Sequence, residues 1–200
     1  MTKARKTDLP ATLLQLKITL RDIRPPIWRR VVVADDLSFE QLHWVIQMAM
    51  GWDDQHMHEF DVGGERIGGA EADPFGFGND APIRSERTTR LRDILGARRK
   101  FRYCYDFGDD WRHEIVVEKR LPAAPGEELA PRLIDGKRAC PPEDCGGPWG
   151  YADLLDVLAD PQHPHYKEML EWAGELDPEY FDVDAAAKLF ASTFHARKAP

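Results

Sequence analysis

Residues 101–117 read FRYCYDFGDDWRHEIVV, and this stretch decides the fold. Apolar and polar side chains alternate on both sides of Gly108-Asp109-Asp110, a sequence typical of a tight turn. The alternation predicts a β-hairpin with one buried face. It is the clearest hairpin in the chain, so the sheet is expected to be at least partly antiparallel.

The chain before this hairpin contains further strand and helix patterns. Residues 13–22 and 27–34 flank a rigid Pro-Pro turn and predict a first hairpin. Ser38 opens a capping-box sequence for a helix over 39–50. Residues 56–62 alternate as another strand. The order strand, strand, helix, strand resembles the start of a β-grasp fold.

Glycine and proline divide the rest of the chain. The glycine-rich residues 63–82 are expected to be a mobile insertion, for which a lid is one interpretation. Residues 121–131 read as a connector and 132–139 as a short final strand. Helices are predicted over three later segments: 149–159, 165–173 and 184–194. These elements predict an α+β protein with a mixed or antiparallel sheet and a C-terminal helical segment.

The domain prediction follows from these elements and from the length of the chain. With 200 residues, of which 42% are hydrophobic, one buried core is expected. We expect a disordered or weakly ordered N-terminus over 1–11, a single α+β domain over 12–195 and a tail over 196–200. Within the domain, 12–120 is the expected sheet-rich core, and 132–195 supplies the final strand, the Cys/Pro/Gly loop and the helices.

Composition excludes several classes of protein. The formal net charge of -8 comes from the second part of the chain, because residues 121–200 carry 15 acidic and 7 basic side chains. Such an acidic protein is a poor candidate for broad nucleic-acid coating. No apolar run approaches the roughly 18 residues of a membrane span, and three cysteines do not indicate a secreted disulfide framework. A cytoplasmic protein with reduced thiols and no membrane partner is therefore expected.

Motifs of several common enzyme classes are missing from the sequence. There is no GxxxxGK[ST], GxGxxG or HExxH pattern, which excludes P-loop, dinucleotide-binding and zincin sites of the usual kind. The three serines, Ser38, Ser85 and Ser192, do not stand in a GxSxG sequence. Serine hydrolase chemistry is therefore not expected, and the sequence assigns no catalytic residues.

Histidines, cysteines and carboxylates supply the candidate ligands. Read as part of a strand, His56 and His58 place two imidazoles on one face about 7 Å apart, a spacing that can chelate one metal ion. His113 lies on an expected neighbouring strand. The remaining candidates are donors on turns and loops: Asp106, Asp109, Cys140, Glu143, Asp144 and Cys145. A divalent metal is thus the cofactor these residues suggest, although packed histidines and turn carboxylates are the structural alternative.

The run Cys140 to Trp149, CPPEDCGGPW, is too rich in proline and glycine to be a helix or a central strand. It is expected to be a stiff loop that holds a ligand or fixes a chain crossing. Cys145 before two glycines also admits a thiol nucleophile with a nearby histidine as base. Two small buried cysteines before a helix start are the alternative.

A basic run and a set of aromatic residues complete the candidates. Residues 84–102 carry eight basic and two acidic side chains, so Arg98, Arg99 and Lys100 are candidates for nucleic-acid contact, with a solvated face as the alternative. The six tryptophans are expected to serve the core. His43, beside the apolar stripe of its helix, is expected to be a satisfied residue at the edge of the core.

Several of these motifs, taken in order, resemble the plasmid pRiA4b ORF-3-like family. They are RPPIWRR (24–30), FEQLH (39–43), MGW (50–52), HMHEF (56–60), YCYDFGDDWRH (103–113), the block 139–151, DPQH (160–163), and DPE with FD (177–182). The resemblance spans roughly residues 12–195. It implies an α+β fold and an association with plasmids and insertion elements, but no established activity.

The combined interpretation is a cytosolic binding or accessory module. Its expected pocket is lined by His56, His58, His113 and the loop 139–147, with a metal ion or small ligand as occupant. A metal-assisted hydrolase that uses Asp106, Asp109 or Glu143 as base is one alternative, and a nucleic-acid accessory factor is another.

Overall fold

The computed structural model describes residues 11–69 and 82–198. Within these residues the chain folds into one eight-stranded sheet and five helices. The strands are β1 (Thr12–Leu20), β2 (Trp28–Ala34), β3 (His58–Val62), β4 (Glu65–Gly68), β5 (Arg84–Ser85), β6 (Lys100–Tyr105), β7 (Trp111–Pro122) and β8 (Arg132–Lys137). The helices are α1 (Phe39–Met50), α2 (Leu91–Leu95), α3 (Gly147–Ala159), α4 (Tyr166–Ala173) and α5 (Val183–Lys198).

The sheet is mixed, with the strand order β5-β4-β3-β6-β7-β1-β2-β8. Neighbouring strands are antiparallel except β4 and β5, which are parallel. The predicted α+β class is therefore confirmed. The expected ββαβ order is present as β1, β2, α1 and β3, and the hairpin of β6 and β7 lies between β1 and β3. Segments distant in sequence thus meet at the centre of the sheet.

The central hairpin forms as its alternation predicts. Its buried face pairs aromatic and aliphatic residues across the two strands: Phe101 with Ile115, Tyr103 with His113, and Tyr105 with Trp111. At the turn, Asp106 and Asp110 have φ of 56°, a left-handed conformation that aspartate tolerates. The Asp106 carboxylate accepts a hydrogen bond from the Gly108 amide over 2.9 Å. This turn forms one wall of the candidate functional site.

Helix α1 covers the centre of the sheet and has both predicted ends. The Ser38 side chain accepts from the Gln41 amide, and the Gln41 side chain accepts from the Ser38 amide. Gly51 ends the helix at a φ of 90°, a conformation that glycine adopts without a steric penalty. The buried stripe of α1 begins at Phe39, whose ring packs edge-on against Phe60 at 5.0 Å.

The two faces of the sheet differ in polarity. On the covered face, α1 and α5 contact the sheet, and Phe190 and Phe194 of α5 are buried. The opposite face carries charged side chains that pair across strands, among them Arg30 with Glu118 and Lys100 with Glu114. Burial of apolar side chains on the covered face drives folding. The ion pairs on the opposite face add little to stability because they are partly exposed.

Three sequence predictions need correction. The stretch 63–82 is not wholly without regular structure, because β4 lies at its start and pairs with β3. The strand predicted to begin at His56 begins at His58. The tryptophans do not all serve the core, since Trp149 is 84% exposed and Trp172 is 49% exposed.

The other local predictions agree with the structure or lie outside it. The three predicted C-terminal helices are confirmed as α3, α4 and α5. Residues 1–10, 70–81 and 199–200 lie outside the described residues, and with them most of the predicted N-terminal segment, most of the glycine-rich stretch interpreted as a lid and part of the predicted tail. Among the described helices, none combines the length and the apolar character that crossing a membrane requires.

Candidate functional site

Two irregular segments meet at one end of the covered face. The linking segment, residues 52–58, runs from the end of α1 into β3, and the docking loop, residues 139–147, runs from β8 into α3. Proline and glycine prevent the docking loop from forming a helix or strand of its own. Its position therefore depends on contacts with the rest of the protein.

Hydrogen bonds fasten the docking loop to the linking segment. The Trp52 indole nitrogen donates to the Pro141 carbonyl over 3.0 Å, and the Asp53 amide donates to Glu143 Oε2 over 2.8 Å. The Tyr105 hydroxyl donates to the other oxygen of the Glu143 carboxylate. Both Glu143 oxygens are thus occupied, and this residue holds the loop rather than acting as a free base.

The far end of the docking loop approaches the hairpin turn closely. The Gly146 amide donates to Asp109 Oδ2 over 3.1 Å. A Cβ atom on Gly147 would lie 2.3 Å from the Asp109 carbonyl oxygen, and Gly147 has a φ of 68°. A side chain is therefore excluded at this position for two reasons, and the paired glycines let the loop reach the turn.

Three predicted candidates converge between these segments, and we call them the His56 cluster: His56, Asp106 and Asp144. One ligand atom from each lies within 4.8 Å of the others. His56 Nδ1 is 3.7 Å from Asp106 Oδ2, and His56 Nε2 is 3.2 Å from Asp144 Oδ1. The residues come from the linking segment, the hairpin turn and the docking loop, so the cluster exists only in the folded protein.

The polar atoms of the His56 cluster are incompletely satisfied. His56 Nε2 is buried and makes no hydrogen bond of regular geometry, although Asp144 lies within ion-pair distance. Asp106 Oδ1 is held by the turn, which leaves its Oδ2 facing the histidine. The Asp144 side chain is 69% exposed, so the cluster opens to solvent on one side. A buried, unsatisfied nitrogen is costly unless another group binds it.

His58 has a different environment from His56. Its ring stacks on His43, with centroids 3.4 Å apart and planes 3° from parallel. His58 Nε2 lies 2.6 Å from Glu86 Oε2, and His43 Nε2 lies 2.6 Å from Asp54 Oδ1. We call His43 and His58 the histidine pair. Each ring of the pair therefore has its own carboxylate.

A closed ring of hydrogen bonds surrounds His43. His43 Nδ1 lies 2.7 Å from the Tyr103 hydroxyl, which accepts from Gln47 Nε2 over 3.0 Å. The Gln47 side-chain oxygen accepts from the Asp54 amide over 3.2 Å. Burial is the main cause that lowers the pKa of His43, against the opposing effect of Asp54. The expectation of a satisfied histidine at this position agrees with the structure.

His113 lies in the core, apart from both groups. Its Nδ1–H donates to the Trp111 carbonyl over 3.0 Å, and its buried Nε2 has no partner within the described residues. Burial lowers the pKa of His113 to about 4, so the ring is neutral near pH 7. The single pocket expected for His56, His58 and His113 is therefore divided into three environments.

The cysteines do not have the environment of a reactive thiol. Burial raises the pKa of Cys140 and that of Cys145 to about 12. A thiol with so high a pKa is protonated at neutral pH and is neither a good nucleophile nor a ready metal ligand. Cys145 follows directly after Asp144, yet neither cysteine belongs to the His56 cluster. Packing is the role that the structure supports for both.

The cationic candidates Arg98, Arg99 and Lys100 lie at the start of β6. The first two donate to backbone carbonyls, over 2.9 Å and 3.4 Å respectively, and Lys100 pairs with Glu114 at 3.2 Å. Nucleic-acid contact at these residues stays a prediction, and these interactions would have to be exchanged for contacts with phosphates.

The sequence alone did not indicate Asp54 or Glu86 as partners of histidines. Asp54 follows α1 by four positions, and Glu86 is one of two acidic residues in a basic run. Neither stands at a recognisable motif spacing from His43 or His58. Their pairing results from the meeting of α1, β3 and the turn after β5, which only tertiary structure reveals.

Comparison with known proteins agrees with this fold. A sequence profile described as plasmid pRiA4b ORF-3-like protein matches residues 12–185. The chain belongs to the plasmid pRiA4b ORF-3-like family. A relative from Sinorhizobium fredii, the uncharacterized protein y4hQ, is 40% identical over 185 residues, which are 90% of this chain and 88% of y4hQ.

A solved structure shares the architecture. The crystal structure of MM3350, a protein of unknown function from Methanosarcina mazei Go1, matches with a TM-score of 0.77 and 38% sequence identity. The match covers 88% of this chain and 97% of MM3350. The resemblance seen in the sequence is thus confirmed at the level of family and fold. Neither relative carries a described activity, so function has to be argued from the site.

Proposed function

We propose that this protein is a binding module that holds a divalent metal ion between His56, Asp106 and Asp144. The observation that carries the proposal is the approach of three ligand atoms, from three separate segments, to within 4.8 Å of one another. Ligand atoms around one Zn²⁺ lie roughly 3–4 Å apart, given bond lengths of about 2.0–2.2 Å. Small side-chain rotations would therefore complete the site.

The charges of the His56 cluster also favour a cation. Two carboxylates face one imidazole, and within the described residues neither Asp106 nor Asp144 forms an ion pair with lysine or arginine. A bound metal would neutralise both carboxylates and satisfy the buried His56 Nε2. The same ion would join the linking segment, the hairpin turn and the docking loop.

The donor set narrows the class of metal. An imidazole with two carboxylates suits Zn²⁺, Mn²⁺ or Fe²⁺ better than Ca²⁺, which takes six to eight oxygen ligands. With three protein ligands, at least one coordination position stays open for water or a small ligand. We therefore propose Zn²⁺ as the first metal to test.

The test is calorimetric titration of the untagged, metal-free chain with Zn²⁺ and with Mn²⁺, followed by metal analysis of the dialysed protein. One bound ion per chain is expected in the wild type. His56→Ala and Asp144→Asn should each weaken binding by at least about tenfold. The matched controls are His165→Ala and Asp153→Asn, on residues outside the cluster, which should bind as the wild type does. Equal binding by cluster and control variants, or no binding at all, would refute the proposal.

A metal-assisted hydrolase is the second candidate. The open side of the cluster at Asp144 and the free coordination position favour it. With Asp106 as a ligand and Glu143 occupied, Asp109 is the carboxylate left to act as a base. Asp109→Asn should then keep Zn²⁺ affinity and lose turnover of generic phosphate and carboxylate esters. If the Zn²⁺-loaded wild type hydrolyses none of them, the hydrolase candidate is rejected while metal binding stands.

The biological setting is part of the proposal. The resemblance implies an accessory protein of a plasmid or mobile element, and the composition implies the cytoplasm. Fractionation of host cells, with a specific antibody, measures the location directly. Recovery in the membrane or extracellular fraction would contradict the cytoplasmic assignment.

A further inference from the structure

The face of the sheet opposite α1 and α5 contains a cavity of about 450 Å³, formed mainly by β3, β6 and β7. On β6, Arg102 and Cys104 alternate with the buried Tyr103 and Tyr105, so the side chains of Arg102 and Cys104 lie on this face. Seven of the ten residues that line the cavity are charged, and both signs are present. Most ligand pockets are lined by apolar side chains, so this composition indicates a charged ligand.

The first row of side chains across the cavity contains an unpaired guanidinium. Arg102 lies between Asp61 on β3 and Glu114 on β7 in the strand register. Glu114 pairs with Lys100 at 3.2 Å, and the Arg102 side chain forms no ion pair or hydrogen bond within the described part of the chain. Asp61 accepts from the Gly64 amide over 2.8 Å but forms no ion pair among these residues either. Two unpaired opposite charges thus stand on neighbouring strands.

The second row separates a carboxylate from a guanidinium by an uncharged side chain. Cys104 lies between Glu59 on β3 and Arg112 on β7. Glu59 accepts from Arg66 with one oxygen, Oε2, over 2.6 and 2.9 Å, so its Oε1 can accept from a ligand. Arg112 Nε donates to Asp110 over 2.9 Å. Both charged groups are therefore held in place before a ligand binds, which reduces the ordering cost of binding.

The cavity thus has a negative wall on β3 and positive groups on β6 and β7. A simple anion would be repelled by Glu59 and Asp61. A simple cation would be repelled by Arg102 and Arg112. A ligand that carries one charge of each sign, at opposite ends, is attracted by both walls.

The strand spacing sets the length of such a ligand. Glu59 and Arg112 are two strands apart, which is about 10 Å between their backbones. The ammonium nitrogen and the carboxylate carbon are about 6 Å apart in an extended dipeptide and about 2.5 Å apart in a free amino acid. The dipeptide reaches both walls, whereas the amino acid reaches one wall at a time.

We propose that this cavity binds a zwitterion of dipeptide length. Its ammonium group pairs with Asp61 and Glu59, and its carboxylate pairs with Arg102 and Arg112. The carboxylate gives Arg102 the bidentate partner that the described part of the chain does not provide. This site lies on the opposite face from the His56 cluster, so the proposal does not depend on metal binding.

The first experiment titrates the metal-free wild-type protein with L-alanyl-L-alanine and follows the backbone amides by NMR. The amides of residues 59–61, 102–104 and 112–114 should shift along one binding curve. Three further probes test the two charges and their separation: the N-acetylated dipeptide, the dipeptide amide and free L-alanine. Each should bind at least about tenfold more weakly than alanyl-alanine. Equal binding by any of the three, or no binding of alanyl-alanine, would overturn the proposal.

The second experiment assigns each end of the ligand to its wall. Arg102→Gln should weaken alanyl-alanine binding by at least about tenfold and reduce the preference for alanyl-alanine over its amide. Asp61→Asn, which keeps an acceptor for the Gly64 amide, should reduce the preference over the N-acetylated probe. The controls Arg99→Gln and Asp135→Asn lie on the same face outside the cavity and should bind as the wild type does. Unchanged preferences in the first two variants would overturn the assignment.

Zn²⁺ titration and circular dichroism of the same variants separate this site from the His56 cluster. Arg102→Gln should keep the circular dichroism spectrum and the Zn²⁺ affinity of the wild type while it loses the dipeptide. Loss of both ligands together with the spectrum would mean that Arg102 supports the fold, and the binding role of Arg102 would be rejected. If the wild type binds alanyl-alanine but no Zn²⁺, the proposed metal function fails and the dipeptide site stands.

Discussion

The histidine pair and the His56 cluster lie on the same linking segment but differ in how well their polar atoms are satisfied. In the pair, each ring has a carboxylate at 2.6 Å and the other ring at 3.4 Å. In the cluster, His56 has a buried nitrogen without a regular hydrogen bond and carboxylates at 3.2 and 3.7 Å. The pair is complete, whereas the cluster has room for a ligand.

This difference separates structural from binding histidines. A complete network rigidifies the core, and removing one member leaves its partners unsatisfied. A group whose polar atoms are incompletely satisfied contributes less to the stability of the fold. Its residues can therefore be replaced with little loss in the free energy of unfolding. The free energy of unfolding and the binding of Zn²⁺ should therefore respond to opposite sets of substitutions.

The largest effect is expected from His43→Leu. It removes a buried ring together with its hydrogen bonds to Asp54 and to the Tyr103 hydroxyl, which should lower the free energy of unfolding by about 3–4 kcal/mol. His56→Ala in the metal-free protein should cost less than about 1 kcal/mol. Urea denaturation of both variants measures the difference. Equal losses would remove the distinction between the two groups.

His113 extends the comparison to a buried ring that has no carboxylate. Its pKa is lowered to about 4 by burial, against an ordinary value of about 6.5 in the unfolded chain. Between these values the unfolded state binds more protons, so stability falls as the pH drops from about 6.5 to 4, by about 3 kcal/mol in total. Above pH 6.5 the contribution is constant.

The measurement for His113 is urea denaturation at several pH values for the wild type and for His113→Phe. The substitution removes the titrating ring. The free energy of unfolding of the variant should therefore fall less than that of the wild type as the pH is lowered, whatever its value at pH 7. Carboxylates titrate in both proteins and cancel in the difference. Parallel stability curves for the two proteins would show that His113 does not titrate as its burial implies.

Metal binding should stabilise the protein through the three segments it joins. A ligand that binds only the folded state at 100 times its Kd adds about 2.7 kcal/mol to the free energy of unfolding. Zn²⁺ should therefore raise the Tm of the wild type clearly more than that of Asp144→Asn. Asp153→Asn, an exposed aspartate on α3, is the control and should respond as the wild type does. An equal rise in all three proteins would indicate binding elsewhere.

Local sequence patterns predicted most of the elements but little of the site. The 101–117 hairpin and the ends of α1 followed from alternation, turn residues and capping, which act over a few positions. His56, Asp106 and Asp144 were each candidate ligands. Nothing in the sequence indicated that these three residues come together while His58 lies apart from them. Strand order decides this, because β6 and β7 lie between β1 and β3. No local sequence pattern indicated Glu86 as the partner of His58.

The smallest and most direct test compares two tyrosine hydroxyls beside the docking loop. The Tyr105 hydroxyl accepts from the Gln55 amide and donates to Glu143, whereas the buried Tyr151 hydroxyl has no partner within the described residues. Tyr105→Phe should lower the free energy of unfolding by about 1–2 kcal/mol, since two hydrogen bonds are lost and Glu143 loses a donor. Tyr151→Phe removes an unsatisfied group and should be neutral or stabilising by up to about 1 kcal/mol. Urea denaturation measures both, and a larger loss in Tyr151→Phe than in Tyr105→Phe would mean that hydrogen-bond satisfaction does not govern this region.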